Sequence, residues 1–275
     1  MGCNGRVTVG KLKIGTSGFQ FHDWKGPIYP SDIPDQAMLS YYENQLGFNT
    51  VEINFTYYRL PAPKSFEGMV KKTSDEFTFS VRSYKEMTHE IWEDTRRMRL
   101  KENSKVFLLF REGLKPLIEA NRLDCILIQF PYFFWPDKQN QEYLLRCKEY
   151  LDDSPLIIEF RNKNWVKENT FQFLKDNQLG FCVVDEPKIP HLMPYLPRVT
   201  STRGYIRFHG RNQNWFKATR EQRYNYLYSE SELKSFLPSI HHIVQSTEKA
   251  YIYFNNCHGG NAVKNALFLK QILKA

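Results

Sequence analysis

Eight short apolar runs rich in β-forming residues recur along the chain, and segments with helical spacing separate most of them. The runs lie at 11–17, 49–54, 77–82, 124–130, 155–160, 180–185, 204–209 and 249–255. Apolar residues recur at helical spacing in 36–46, 103–121, 140–151, 167–177, 229–244 and 260–273. Strands that alternate with helices imply parallel βαβ units. Eight such strands in a chain of domain size predict an α/β fold, a single TIM-barrel-like (β/α)8 domain.

The predicted barrel covers residues 11–275, and residues 1–10 are predicted to be a flexible N-terminal tail. The chain has no repeat of fixed period and no linker rich in Gly, Ser or Pro, which favours one domain. An open, doubly wound sheet is the alternative. It usually carries GxGxxG after its first strand, and "GTSGFQ" does not match that pattern.

Cysteine usage and hydropathy indicate where the protein works. The five cysteines are dispersed and form no CxxC pair, so neither a disulfide framework nor a zinc knuckle is indicated. No apolar run approaches the roughly 18 residues of a membrane helix, and the N-terminus lacks the apolar stretch of a signal peptide. A cytoplasmic protein with no membrane partner is expected. The net charge of +8 is compatible with a polyanionic partner, but many basic proteins have none.

Polar and charged residues gather where the predicted strands end. The C-terminal ends of barrel strands carry the active sites of TIM-barrel enzymes. Several strands place two such residues at i and i+2, on one face. The residues at these ends are Thr16, Ser17, Glu52, Asn54, Arg82, Gln129, Glu159, Arg161, Asp185, Arg207, His209, Asn255 and Asn256. Buried charges need partners, and carboxylates and arginines in one ring can supply them to each other. The ring predicts either a concave polar site or a salt-bridge layer that only stabilises the barrel.

Seven motifs in order closely resemble the DUF72 family, also called YecE-like proteins: "IGTSGFQFHDWKGPIYP", "VEINFTYYRLP", "FTFSVRSYKEMTH", "ILIQFPYFF", "IIEFRNKNWV", "YIRFHGR" and "YIYFNNCHGGNAVKNALFLKQ". The resemblance covers residues 12–273. It implies a TIM-barrel-like fold and a cytosolic protein, but no function, because none is established for the family. Its motif positions include Tyr58, His89 and Trp165. Asn162 stands where the family often has His, so no mechanism that needs that His is expected here.

Acid–base catalysis on a phosphate- or carboxylate-bearing small molecule is the first chemistry that these residues support. The candidate catalytic residues are Glu52, Glu159, Asp185 and His209, with His209 as a proton shuttle. Arginine forks suit phosphate and carboxylate. The candidate substrate-binding residues are Thr16, Ser17, Asn54, Tyr58, Arg82, Gln129, Arg161, Trp165, Arg207, Arg211, Asn255 and Asn256.

Two alternatives use the same mouth of the barrel. Glu159, Asp185 and His209 end consecutive strands and could hold a divalent metal, as in nuclease- or isomerase-like enzymes. The nearby arginines repel a cation, so no cofactor is expected. The second alternative is nucleic-acid binding, in which aromatic residues stack on bases beside the basic run 95–105. Those aromatics are Trp24, Tyr57, Tyr58, Phe133, Phe134, Trp135, Trp165 and Trp215.

Overall fold

Eight parallel strands form a nearly closed barrel in the computed structural model, which describes residues 12–151, 154–190, 192–214 and 218–274. The strands are β1 (Leu12–Thr16), β2 (Thr50–Ile53), β3 (Thr78–Arg82), β4 (Leu123–Gln129), β5 (Leu156–Glu159), β6 (Gly180–Asp185), β7 (Arg203–Phe208) and β8 (Lys249–Phe254). They pair in the order β1-β8-β7-β6-β5-β4-β3-β2. A parallel bridge between Ser17 and Glu52 joins β1 to β2. The predicted (β/α)8 barrel and all eight of its strands are confirmed.

Helices follow the strands and cover the barrel. They are α1 (Met38–Asn44), α2 (Pro63–Lys71), α3 (Ser104–Glu119), α4 (Lys138–Tyr150), α5 (Glu168–Asp176), α6 (Arg220–Arg223), α7 (Glu230–Ser235), α8 (Leu237–Gln245) and α9 (Asn261–Leu273). The helix predicted over 229–244 is two helices, separated at Phe236. Pro238 lies in the first turn of α8, where its missing amide hydrogen is tolerated and where it cannot continue the preceding helix. Helix α2 was not predicted, because its apolar stripe is only about one turn long and Phe66 alone is fully buried.

The inner face of the barrel is polar, and this polarity positions the site. Residues on the outer face of the strands pack against the helices, as a parallel sheet covered on its outer side requires. Inside, the Tyr253 hydroxyl lies 2.6 Å from Thr50 Oγ1 and 3.0 Å from Ser80 Oγ. The Tyr205 hydroxyl donates to Glu52 Oε2 at 2.7 Å. This layer of hydroxyl groups lies directly below the charged residues that are nearer the mouth.

Two predictions fall outside the described residues, namely the tail over residues 1–10 and the loop aromatic Trp215. Across the described part of the chain, no helix combines the length and the apolar character that spanning a membrane would need.

Candidate active site

Arg207 lies inside the barrel between two carboxylates. It occupies the inner face of β7, in register with Val184 of β6. Its Nη1 donates to Glu159 Oε2 at 2.5 Å, and its Nη2 donates to Glu52 Oε1 at 2.8 Å. Burial by itself would lower the pKa of Arg207, but Glu159 and Glu52 raise it well above its usual value. We call Glu52, Glu159 and Arg207 the inner triad. Within it, the single positive charge of Arg207 is shared by the two carboxylates.

Glu159 connects the inner triad to the mouth of the barrel. Burial favours its neutral form, yet Arg207, Arg161 and His209 hold the pKa of Glu159 well below the usual value. Arg161 Nε lies 2.7 Å from Glu159 Oε1, an ion pair without the alignment of a hydrogen bond. A carboxylate held by cations on several sides is a poor general base, because it has little tendency to take a proton. Its effect here is to fix the arginines.

Arg161 is shared between Glu159 and Glu186, which follows β6. Its Nη1 donates to Glu186 Oε2 at 2.7 Å, and Glu186 Oε1 also accepts from the backbone amide of Met193 at 2.7 Å. Burial raises the pKa of Glu186. Glu186 was not among the predicted site residues. The sequence does contain a signal for it, because Glu186 is an even number of residues from Cys182 and alternation puts both on the same face. The Cys182 sulfur lies 3.8 Å from Glu159 Oε2, on the inner face.

His209 is buried, and both of its ring nitrogens have partners in the protein. Its Nε2 lies 3.1 Å from Arg161 Nη2 and 3.3 Å from Glu159 Oε1. Its Nδ1 lies 2.9 Å from Asn255 Nδ2. Burial, together with the charge of Arg161, lowers the pKa of His209 to about 3, so the ring is neutral at physiological pH. His209 therefore lies at the predicted place, but with its hydrogen-bonding capacity already used.

Arg82, at the end of β3, is different from the other two arginines of the barrel interior. Its guanidinium carbon lies 4.0 Å from the centre of the Tyr57 ring, in a cation–π contact. Among the residues that the structure describes, no carboxylate forms an ion pair with Arg82, and its Nε has no hydrogen-bond partner. Burial and the repulsion of Arg207 lower the pKa of Arg82 to about 10. A positive charge is thus held near the mouth, attracted by Glu159 at longer range but with no ion-pair partner among the described residues.

His89 completes the mouth from the loop that follows β3. Its ring meets the Tyr57 ring edge-on at 5.0 Å, and its Nδ1 lies 2.9 Å from the hydroxyl of Thr88. Burial, then Arg82 and Arg161, lower the pKa of His89 to about 3. Periodicity could not place a loop residue at the mouth, so the family-like motif "YKEMTH" was its one signal in the sequence. We call Arg82, His89 and Arg161 the mouth group.

Asp185 and Arg211 lie outside this arrangement, in a cluster on the outer face of the sheet. Arg211 donates to both oxygens of Asp185, at 2.8 and 2.7 Å. The Tyr228 hydroxyl also donates to Asp185, at 2.7 Å, and Arg211 pairs with Glu232 of α7 at 3.1 Å. Asp185 is in register with Phe208, on the opposite face from Arg207. The cluster joins the barrel wall to α7 and to the Tyr228 segment.

The other predicted residues divide between the same two faces. Asn54, Gln129 and Asn255 lie on the inner side, with Asn54 donating to Glu52 at 3.1 Å and Gln129 accepting from Arg207 at 3.4 Å. Ser17 is buried beside Glu52, and its hydroxyl has no partner among the described residues. Tyr58 is exposed near the mouth.

Three further predicted residues make contacts that hold the fold together. The Thr16 hydroxyl lies 2.9 Å from the Tyr42 hydroxyl of α1. The Trp165 indole donates to the carbonyl of Phe134 at 2.7 Å. Asn256 donates to the carbonyl of Tyr226 at 2.8 Å.

The proposed metal ligands do not converge. Glu159 and His209 are neighbours on the inner face, whereas Asp185 belongs to the outer cluster. Within the described ranges, no group of three or more His, Cys, Asp and Glu residues has the arrangement of a metal site. The inner carboxylates are instead bound by guanidinium groups.

Comparison with known proteins gives a consistent family assignment. The family model described as "Protein of unknown function DUF72" matches residues 13–275. The UPF0759 protein YunF of Bacillus subtilis is 33% identical over 275 residues, which is 95% of this chain and 94% of that protein. A DUF72 family crystal structure from Thermotoga maritima has 42% identity and a TM-score of 0.89, with 96% of this chain and 99% of that one covered.

A second solved relative, a DUF72 family protein from Enterococcus faecalis, is 28% identical with a TM-score of 0.82, and 96% of each chain is covered. The order of motifs, the barrel and these relatives agree over nearly the whole length. The chain belongs to the DUF72 family.

Proposed function

We propose that this protein is an enzyme, a hydrolase, lyase or isomerase, that binds a phosphate- or carboxylate-bearing small molecule at the C-terminal mouth of the barrel and acts on it by acid–base catalysis. The observation that carries the proposal is Arg82, a largely buried guanidinium with no carboxylate partner among the described residues. A buried cation without a counter-charge is costly, and a bound anion removes that cost.

The surroundings of Arg82 support an anionic substrate. Arg161 is partly exposed, and its charge acts on the same His89 ring as the charge of Arg82, so both guanidinium groups contribute positive potential at the mouth. Arg207 repels Arg82 more strongly than Glu159 attracts it, so the neighbouring charges do not compensate the Arg82 guanidinium. Glu52 and Glu159 hold Arg207 in place from within the inner triad. In this proposal the two glutamates orient the arginines, and the groups at the mouth touch the substrate.

A thermal-shift screen tests the proposal. The compounds are inorganic sulfate and phosphate, phosphosugars, nucleotides, oligonucleotides, organic acids and divalent metal ions. A small anion that binds the native state raises the melting temperature, since stabilisation grows with ligand concentration over Kd. Arg82→Met should weaken that binding at least about 10-fold, the loss expected when one charge-assisted hydrogen bond is removed.

Arg198→Met is the matched control, because Arg198 carries the same charge but lies outside the barrel wall, where it pairs with Glu168 of α5 and packs over the Phe171 ring. It should leave anion binding unchanged. Equal loss in both variants would mean that net charge alone attracts the anion. No stabilisation by any small anion would overturn the proposal.

Nucleic-acid binding is a second candidate, favoured by aromatic residues at the rim. Tyr132 and Trp135 are 42% and 45% exposed and lie edge-on at 6.1 Å. Arg97 packs over the Phe133 ring at 3.6 Å. Exposed aromatic rings beside a guanidinium can stack on bases. By contrast, the aromatics Trp24 and Trp165 are buried and cannot do so.

The basic run is less favourable to nucleic acid than its sequence indicated. Its first part lies in a loop closed by an antiparallel bridge between Trp92 and Leu100, and its last two residues begin α3. Arg99 pairs with Glu93 at 3.4 Å, and its amide donates to Asp94. Binding of oligonucleotides with a steep salt dependence, lost in Trp135→Ala and retained in Arg82→Met, would favour this candidate over the enzyme.

A further inference from the structure

We propose that His89 is the residue that transfers the proton in this active site, with its Nε2 directed at the anion held by Arg82 and Arg161. This inference rests on the proposed function and makes it more specific. It assigns the acid–base step to a histidine of the loop after β3. It assigns a supporting role to His209 and to the glutamates inside the barrel.

The position of His89 carries the first part of the argument. Tyr57 joins it to Arg82, since the guanidinium lies over the Tyr57 ring at 4.0 Å and the imidazole meets the same ring at 5.0 Å. His89 is partly exposed, whereas Thr88 beside it is fully buried. The side chain therefore stands between the protein interior and the open mouth, at the level of the unpaired arginine.

Hydrogen bonding carries the second part. Thr88 Oγ1 lies 2.9 Å from His89 Nδ1, and because Thr88 is buried this contact fixes the orientation of the ring. No described residue forms a hydrogen bond with His89 Nε2. When Nδ1 carries the proton of the neutral ring and donates it to the threonine hydroxyl, Nε2 has a free lone pair and can accept a proton from a substrate. The ring is thus held on one side and open on the other, as a general acid or base requires.

The charges that face His89 explain how its reactivity depends on the substrate. Arg82 of β3 and Arg161 after β5 disfavour its protonated form, and Glu159 of β5 weakly favours it. An anion bound by the two arginines would cancel the repulsion that they exert on the ring. Binding would then raise the pKa of His89, so that the residue becomes a competent base only when a substrate occupies the mouth.

His209 provides the contrast within the same molecule. It is a neutral imidazole with a similarly lowered pKa, but it is fully buried and both of its nitrogens contact protein groups. It cannot reach a substrate without breaking those contacts. His209 is therefore the matched control for any experiment on His89.

Proton uptake during sulfate binding tests the inference. Sulfate remains a dianion at neutral and mildly acidic pH, so protons taken up on binding belong to the protein. Calorimetry near pH 5 in two buffers of different ionisation enthalpy counts those protons. We expect an uptake approaching one proton per sulfate, abolished in His89→Gln and retained in His209→Gln. Nitrogen NMR of His89 in the unchanged protein gives the same information without a substitution, as a pKa that rises when sulfate is added.

The outcomes separate the inference from the function on which it rests. Sulfate that fails to bind, or that binds Arg82→Met as well as the unchanged protein, would overturn both. Binding that depends on Arg82, with proton uptake unchanged in His89→Gln, would overturn only the role of His89. With a substrate from the screen, His89→Gln should lower kcat by about 10²–10⁴-fold and leave KM nearly unchanged. A normal kcat in that variant would also overturn the assignment.

Discussion

The inner triad and the mouth group both contain arginine inside the barrel, yet they differ in how that charge is compensated. In the inner triad, Arg207 bridges Glu52 and Glu159 at 2.8 and 2.5 Å. In the mouth group, Arg82 rests on an aromatic ring and has no described carboxylate partner. The triad lies fully inside the barrel, and the mouth group is partly open to solvent.

This difference teaches how a polar barrel can be both stable and reactive. Charges that satisfy one another maintain a structure but have nothing left to offer a ligand. Charges held in place without a partner lower stability in the empty protein, and a ligand can recover that free energy. A bound anion is expected to compensate the charge of Arg82 at the mouth, as Glu52 and Glu159 compensate the charge of Arg207 below it.

Removal of the central cation should have the largest effect. Arg207→Met leaves Glu52 and Glu159 buried without their shared counter-charge, and we expect a loss of about 3–5 kcal/mol in the free energy of unfolding. Chemical denaturation of the purified variant measures it. A loss below about 1 kcal/mol would show that the two carboxylates are neutral or reach water when Arg207 is gone.

Acid should destabilise the protein partly through His209. Its pKa is about 3 in the folded protein and about 6.5 in an unfolded chain. Below pH about 6.5 the unfolded state binds a proton that the folded state does not. The free energy of unfolding therefore decreases as the pH is lowered, by up to about 1.4 kcal/mol per pH unit.

His209→Gln should make the free energy of unfolding less dependent on pH between about 6.5 and 5, above the range in which Glu159 contributes. Denaturation curves collected at several pH values give this slope. An unchanged slope would mean that His209 is already protonated in the folded protein, and that the mouth is less positive than its arginines indicate.

The smallest effect on stability is expected when arginine is replaced by methionine at the mouth instead of in the inner triad. Arg82→Met removes a largely buried cation that has no described ion-pair partner, so the free energy of unfolding should stay within about 1 kcal/mol of the original value or rise. Direct comparison with Arg207→Met by denaturation is the sharpest test of the difference between the two groups. Equal destabilisation would show that Arg82 has a structural role like that of Arg207.

The fold was predictable because its signals are local. Apolar runs and helical spacing located all eight strands and most of the helices, since each element buries a face that alternates with its own period. The exceptions are α2, whose apolar stripe is too short to recognise, α6, which is a single turn, and the break at Phe236, where tertiary packing turns the chain. None of these exceptions alters the barrel.

For the candidate site, the sequence predicted a set of residues at the mouth but not which of them pair with one another. Residues at i and i+2 share a face, so the sequence was sufficient to place Arg207 with His209 and Glu159 with Arg161. It was not sufficient to show that Asp185 faces outward while Glu186 faces the mouth. That depends on the register between β6 and β7.

The sequence by itself determined the barrel, the polarity of its interior and the residue types at its mouth. The tertiary structure decided which charge meets which. Glu52, Glu159 and Arg207 come from strands that are not all neighbours, and the closure of the barrel brings them together across its axis. The same closure leaves Arg82 beside Tyr57 and His89, because no carboxylate among the described residues reaches that side of the mouth to form an ion pair with it. Pairing between distant charges is a property of three-dimensional distance, which local periodicity does not encode.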